Sequence, residues 1–135
     1  MKLRLRGNSV RIRLTKIEIE KLDGQGWWED ATRFGPADKG RLACRVETTS
    51  AGQSSVGMTV SESGTTVTAK LPKEDVTKWA RGAAVGIYFV ESWGLKVAIE
   101  KDFRCLDVRR DEDESDNFDN PNASAIIVHP ACKVD

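Results

Sequence analysis

Hydrophobic and charged residues alternate over two short runs at the start of the chain. Leu3 and Leu5 lie between basic residues. After a Gly-Asn-Ser sequence, basic residues again separate Val10, Ile12 and Leu14. Apolar residues at every second position turn one face of a strand toward the core and the other toward solvent. The pattern therefore predicts an antiparallel hairpin with one apolar face and one basic face.

Two short helices are predicted, each directly after a pair of strands. Thr15 and Glu18 have the spacing of a capping box, and a helix that starts there would end near Gly24. The alternation of residues 16–20 also permits a strand. A proline and two acidic residues at the start, with Arg-Gly at the end, predict the second helix over residues 72–80.

Six further strands are indicated by apolar or alternating runs that glycine and polar residues separate. Residues 50–57 are rich in serine and glycine and are predicted to form a flexible connection. Residues 107–124 are charged, lack an apolar period and are predicted to be mobile, whereas residues 124–129 contain a short candidate strand. The six predicted strands cover residues 27–34, 41–49, 58–62, 65–71, 84–90 and 95–102.

The order strand, strand, helix, strand, strand therefore occurs twice in the chain. A shift of 57 residues aligns Gly7 with Gly64 and Leu14 with Leu71, and no gap is needed as far as Trp79. Such a repeat indicates that each half is one supersecondary unit, and that the two units bury their apolar faces together.

These elements predict an α+β fold with two short helices. The predicted sheet is mainly antiparallel and either curved or partly closed into a barrel, built from the two strand–strand–helix–strand–strand repeats. We predict one domain over residues 1–106, with repeat halves at about 2–49 and 58–106. An acidic, partly mobile C-terminal segment is predicted over residues 107–135.

The charge of the chain is balanced in total but not along its length. Its 135 residues include 21 basic and 21 acidic residues, so the formal net charge is zero. A domain that binds nucleic acid over its surface has a basic excess, so this class is not expected. Two opposed blocks contribute to this net charge of zero. Residues 1–16 contain six basic residues and no acidic one, and residues 111–119 contain six acidic residues and no basic one.

Other features of the composition favour a soluble cytoplasmic protein without a cofactor. No apolar run approaches the ~20 residues of a membrane span, and the start lacks the apolar block of a signal peptide. A zinc site from Cys44, Cys105, His129 and Cys132 lacks a Cys-x-x-Cys anchor, so neither a metal site nor a disulfide framework is expected. Cys44 is predicted to be an ordinary buried residue.

Three stretches of the sequence resemble a known family. They are LRLRGNSVRIRLT, the turn after Arg-Phe-Gly-Pro at residues 33–36, and IEKDFRCLDVRRDEDESDNFDNP. Together they resemble a family of small bacterial proteins known only as a domain of unknown function, over most of the chain to about Pro121. The resemblance implies a small soluble bacterial protein, and it brings no established activity, cofactor or catalytic residue.

The basic face of the predicted hairpin is the main candidate site. Like charges on neighbouring strands lie about 5 Å apart, which is costly unless anionic groups are near. Arginine suits phosphate and carboxylate oxygens, so an anionic ligand would compensate the charge. Acidic residues on neighbouring strands, or the acidic segment of the chain, would do so equally well. The residues of this candidate anion-binding site are Lys2, Arg4, Arg6, Arg11 and Arg13.

Two further features are candidates for function. Glu18 and Glu20, with Lys21, resemble the Glu-x-Glu-x-Lys signature of triphosphate tunnel enzymes, which implies a metal-assisted phosphohydrolase with both carboxylates as metal ligands. The lysine is one position early, and the predicted helix conflicts with a signature that belongs on a strand. Trp93, beside Gly94 in a predicted turn, is a candidate interface anchor.

We therefore expect a binding or interaction domain rather than an enzyme, with the basic hairpin face as its contact surface. Its partner would be a small anionic ligand or an acidic protein segment, and a homodimer is compatible with the opposed charge blocks. The alternative is a metal-assisted phosphohydrolase of the triphosphate-tunnel type. Neither a membrane nor a nucleic acid is an expected partner.

Overall fold

The computed structural model describes residues 1–37, 39–103, 118–119 and 121. The chain divides into two compact units, Met1–Asp102 and Phe103–Asp135, and the elements below all belong to the first. The predicted strand at 124–129 and most of the predicted acidic segment lie outside the described residues. The predicted limits of the domain and of its C-terminal segment stay a prediction.

Two α-helices and eight β-strands are present in the described residues, in the predicted order that occurs twice. The α+β class and the two short helices are thereby confirmed. The helices are α1 (Lys16–Gln25) and α2 (Lys73–Arg81). The strands are β1 (Lys2–Arg6), β2 (Ser9–Leu14), β3 (Trp27–Arg33), β4 (Arg41–Thr49), β5 (Ser55–Val60), β6 (Gly64–Pro72), β7 (Gly86–Val90) and β8 (Lys96–Lys101).

The strands form two sheets of four strands each. The first sheet has the order β1-β2-β8-β7, and the second sheet has the order β3-β4-β6-β5. In each sheet the two outer pairs are antiparallel and the central pair is parallel. The predicted antiparallel character is therefore confirmed in part, since four of the six described strand pairs are antiparallel. The prediction of one sheet or a partly closed barrel is wrong, because the strands divide into two mixed sheets that are not closed into a barrel.

Each sheet combines one hairpin from each half of the chain, and the two hairpins meet through the central parallel pair. The first sheet joins the β1–β2 hairpin to the β7–β8 hairpin, and the second sheet joins the other two hairpins. Ile12 lies opposite Ile99, and Ala69, which follows Ile12 by 57 positions, lies opposite Val46. The predicted repeat is thus present in part: the halves share an order and a register, but neither forms a sheet of its own.

Strand β5 begins earlier than the pattern predicts. It covers Ser55–Val60 rather than residues 58–62, so the end of the predicted flexible connection is a paired strand. Its backbone pairs with β6 from Lys70 to Thr65. Serine and glycine are tolerated there because β5 is an edge strand, where backbone pairing does not require apolar side chains.

Capping groups fix both ends of α1. Thr15 Oγ1 accepts the backbone N–H of Glu18 at 3.4 Å, and a carboxylate oxygen of Glu18 accepts the N–H of Thr15 at 2.8 Å, as the capping box predicts. Gly26 ends the helix in the left-handed conformation, with φ 90°. Helix α2 meets α1 where Thr77 Oγ1 donates to Asp23 Oδ1 at 2.7 Å. Neither of these helices, within the described residues, has the length and apolar character needed to cross a membrane.

One hydrophobic core joins the helices to the inner faces of both sheets. Ile12, Leu14 and Leu22 from the first half have no exposed surface, and the same is true of Leu71 and Val76 from the second. All five belong to a single cluster of buried residues. Both halves therefore depend on the same core for their stability.

Leu14→Ala and Leu71→Ala are expected to lower the free energy of unfolding by similar amounts, about 2–5 kcal/mol each. The two leucines are equivalent in the repeat and are both 0% exposed, so each substitution leaves a cavity in the shared core. Urea unfolding, followed by circular dichroism and tryptophan fluorescence, measures the loss. Met58→Ala is the control, because that side chain is 68% exposed. Two separate unfolding transitions would contradict a shared core.

Candidate functional site

The five predicted basic residues lie together on the outer face of the first sheet. In the β1–β2 register, Arg4 lies opposite Arg11 and Lys2 lies opposite Arg13. The alternate residues of β2, such as Ile12, are buried, so the pleat turns the basic side chains outward. We call this surface the basic face, and it consists of Lys2, Arg4, Arg6, Arg11 and Arg13.

Strand β8 and the residue that follows it supply two carboxylates to the basic face. Glu100 Oε1 lies 3.2 Å from Nε of Arg11 and 3.7 Å from Nε of Arg13. Asp102 Oδ2 lies 3.2 Å from Nζ of Lys2. These carboxylates reduce the repulsion between like charges at one end of the hairpin.

Strand β7 holds Glu100 in position. The Tyr88 hydroxyl donates to Glu100 Oε2 at 2.7 Å, so one carboxylate oxygen binds the tyrosine and the other faces the arginines. Gly86 lies opposite Glu100, and a Cβ on Gly86 would come within 3.1 Å of the tyrosine hydroxyl and 3.0 Å of Glu100 Cγ. Sequence reasoning missed Glu100 and Tyr88, because their place depends on the parallel pairing of β2 with β8.

The other end of the basic face has cations without such partners. Arg6 and Lys96 are exposed, and neither forms an ion pair with another residue that the structure describes. Lys96 lies opposite Ser9, which in turn lies opposite Arg6, so the two cations belong to one row across the sheet. Trp93, the candidate interface anchor, is 64% exposed in the turn that precedes Lys96.

Both carboxylate oxygens of Glu18 are bound within the fold. Glu18 Oε2 lies 2.6 Å from the amino nitrogen of Met1, and Oε1 accepts the N–H of Thr15 at 2.8 Å. The same amino group lies 3.2 Å from Asp30 Oδ2. The side chains of Met1 and Glu18 are only 1% and 9% exposed, and we call this contact the buried ion pair.

The structure does not bring Glu18 and Glu20 together with the arginines. Glu18 is occupied by Met1 and by the helix cap, whereas Glu20 is exposed on α1. The described strands do not close into a barrel, so they form no tunnel. Among the described residues, no group of three or more His, Cys, Asp or Glu could hold a metal ion. The phosphohydrolase interpretation therefore has no observation in its support.

Burial and hydrogen bonding act in opposite directions on the buried ion pair. Burial alone would raise the pKa of Glu18, but hydrogen bonds from the Met1 amino group and from Thr15 outweigh it and lower the pKa below its ordinary value of 4.5. Burial alone would lower the pKa of the Met1 amino group, but Glu18 and Asp30 raise it above its ordinary value of 8.0. Both partners are therefore charged at neutral pH.

Cys44 is free and buried, as the strand pattern predicts. Burial raises the pKa of its thiol to about 12. The thiol is therefore protonated at neutral pH and is a poor nucleophile. The other residues considered for a zinc site, Cys105, His129 and Cys132, lie outside the described residues.

Comparison with known proteins gives a family but no function. Residues 1–122 match a family of unknown function, DUF7009. No curated protein and no solved structure matches the chain. The resemblance to a domain of unknown function is thereby confirmed.

Glu18→Gln is expected to lower the free energy of unfolding at neutral pH by about 1–3 kcal/mol, because the buried Met1 amino group loses a charged hydrogen bond. Urea unfolding as a function of pH measures this loss. Glu20→Gln is the matched control, since it makes the same change at an exposed position of the same helix.

The sign of the pH dependence follows from the two shifts. A carboxyl with a lowered pKa stabilises the fold above pH 4.5 and loses this contribution as the pH falls through its folded value. An amine with a raised pKa stabilises the fold below pH 8.0 and loses this contribution as the pH rises through its folded value. Stability should therefore decline on both sides of neutral pH, and Glu18→Gln should flatten the acid side. If the free energy of unfolding fell equally with acidification in Glu18→Gln and in the unsubstituted protein, the result would contradict the ion pair.

Proposed function

The chain belongs to DUF7009, a family of unknown function, and we propose that it is a non-enzymatic binding domain whose basic face binds an extended acidic protein segment. The observation that carries the proposal is the β1–β2 register, which places five cationic side chains on one outer surface of a sheet. Charge concentrated in this way attracts anionic partners and speeds their encounter.

The spacing of the cations favours a long anion over a small one. Lys2, Arg4 and Arg6 are alternate residues of one strand, so successive side chains are roughly 7 Å apart. They project in rows from a sheet rather than converge on one point. An extended peptide has the same spacing between alternate side chains, so its carboxylates can meet successive cations.

The position of the acidic residues indicates which end of the face binds the partner. Glu100 and Asp102 lie beside Lys2 and Arg13, where they already compensate the charge. The opposite end of the face contains Arg6, with Lys96 of β8 in the same row across the sheet and Trp93 in the β7–β8 turn. We therefore expect the partner's carboxylates to bind most strongly at the Arg6 end of the face.

Two exposed aromatic side chains support a protein as the partner. Tyr88 is 58% exposed on β7, and Trp93 is 64% exposed beside the row that contains Arg6 and Lys96. Aromatic residues next to arginine are typical of surfaces that bind proteins, because they bury area at a low entropic cost. A small inorganic anion would use neither side chain.

The double charge reversal Arg6→Glu with Lys96→Glu is expected to weaken the binding of a fluorescein-labelled peptide of alternating Glu and Ser by about tenfold or more. Fluorescence anisotropy measures the affinity, which should also fall as NaCl is added to the unsubstituted protein. Trp93→Ala should weaken binding further without changing the salt dependence, since that side chain is uncharged.

Lys16→Glu with Lys21→Glu is the matched control. It changes the net charge by the same amount at exposed positions of α1, so binding should stay near that of the unsubstituted protein. Equal weakening in both double variants would contradict a specific face. If pyrophosphate at low concentration displaced the peptide, the proposed partner would be wrong and a small anion would be favoured. If single-stranded DNA bound more tightly than the peptide, a nucleic acid would be favoured as the partner.

A further inference from the structure

A cavity of about 380 Å³ lies beside Met1, between β1 and the inner face of the second sheet. Pockets that bind small molecules have volumes of about 300–1,000 Å³, so the cavity is large enough for a ligand. Leu3 lines it, and Leu3 alternates with Lys2 and Arg4 along β1. The cavity is therefore on the opposite side of β1 from the basic face.

The polar side of the cavity carries an excess negative charge. Two carboxylates, Glu18 and Asp30, lie 2.6 Å and 3.2 Å from the single amino group of Met1. Glu18 is buried and makes the shorter contact, whereas the Asp30 side chain is 55% exposed and lines the cavity. Met1 also lines the cavity, and its amino group is the one cation among the described lining residues, which include no lysine or arginine. The excess charge therefore lies on Asp30.

The remaining walls of the cavity are aromatic and aliphatic. Phe34 is 75% exposed and lines the same cavity as Asp30. Leu3 and Leu42 provide aliphatic surface. An aromatic ring together with a carboxylate suits an organic cation, because the face of the ring attracts positive charge and the carboxylate pairs with it.

The internal repeat shows that the fold does not require a carboxylate at this place. The register of the central pairs makes Val46 equivalent to Ile99, so two residues earlier Cys44 is equivalent to Val97. Asp30 lies opposite Cys44 and Phe89 lies opposite Val97, so Phe89 is the equivalent of Asp30. Val97 is 3% exposed and Phe89 packs against the core, so apolar side chains occupy the equivalent place in the second half. A half-exposed carboxylate at Asp30 is therefore a difference between the halves, and its described partner is the Met1 amino group.

We propose that this cavity binds a small organic monocation, an ammonium group on a short apolar body. The ammonium group lies against Asp30 and Phe34, and the apolar body lies against Leu3 and Leu42. A single lining carboxylate is too few for a divalent metal ion, which takes several oxygen ligands. An anion would be repelled by the excess charge on Asp30. The proposal uses no residue of the basic face and is independent of the function proposed above.

Titration of the full chain with 2-phenylethylammonium, in phosphate buffer free of other amines, tests the proposal. Methyl NMR signals of Leu3 and Leu42 should shift and saturate with this cation. The anion 3-phenylpropionate, of similar size, should leave them unchanged. Asp30→Asn should weaken the binding of the cation by about tenfold or more, because one charged hydrogen bond is lost.

Glu29→Gln is the matched control for Asp30→Asn. It removes one charge from the adjacent residue, whose side chain faces the other side of β3 and pairs with Arg41 at 3.0 Å. Phe34→Leu keeps apolar surface but removes the ring, and at an exposed position it should weaken binding without loss of the fold. Unchanged affinity in Asp30→Asn, equal shifts with 3-phenylpropionate, or no saturable shift with the cation would overturn the proposal.

Discussion

The parallel pairing of β2 with β8, matched by that of β4 with β6, is the interaction on which the rest of the structure depends. Each pair joins a strand of one half to a strand of the other, so neither sheet exists without both halves. The inner faces of these central strands supply much of the buried cluster, from Ile12 and Ile99 in one sheet to Val46 and Leu71 in the other. The two helices close the same cluster, because Leu22 and residues of α2 reach it from outside the sheets.

The same pairing produces different chemistry on the two sides of the first sheet. On the outer side it brings Glu100 beside Arg11, which balances positive charge at one end of the surface, whereas no described carboxylate pairs with Arg6 at the other end. On the inner side it fixes β1 above the second sheet, where Met1 meets Glu18 and Asp30. The two candidate sites are therefore products of one strand arrangement, and alternate residues of β1 place them on opposite sides of that strand. Their charges are opposite because β1 and β2 supply the cations of one site, whereas Asp30 supplies the carboxylate of the other.

Local chemistry could be predicted from the sequence, whereas contacts across the repeat could not. The capping box of Thr15 and Glu18 and the alternation of β2 depend on residues a few positions apart, and both were found in the structure. The parallel pairs join residues far apart in the chain, and alternation does not reveal which hairpins become neighbours. For this reason the pattern placed Arg11 on a basic face but did not indicate Glu100 as its partner. It also offered Glu18 as a metal ligand, whereas in the structure its two carboxylate oxygens are bound by the Met1 amino group and by Thr15.

The combination of hairpins from both halves in each sheet has a consequence for folding during translation. Ile12 emerges long before Ile99, yet the two residues lie opposite each other in the first sheet. The β1–β2 hairpin can close as soon as it is made, but its central partner has not yet been translated. The edge of β2 that pairs with β8 therefore stays without its hydrogen-bonding partner while the second half is synthesised. An open strand edge can pair with another chain, so the nascent chain is vulnerable to aggregation until β8 is made.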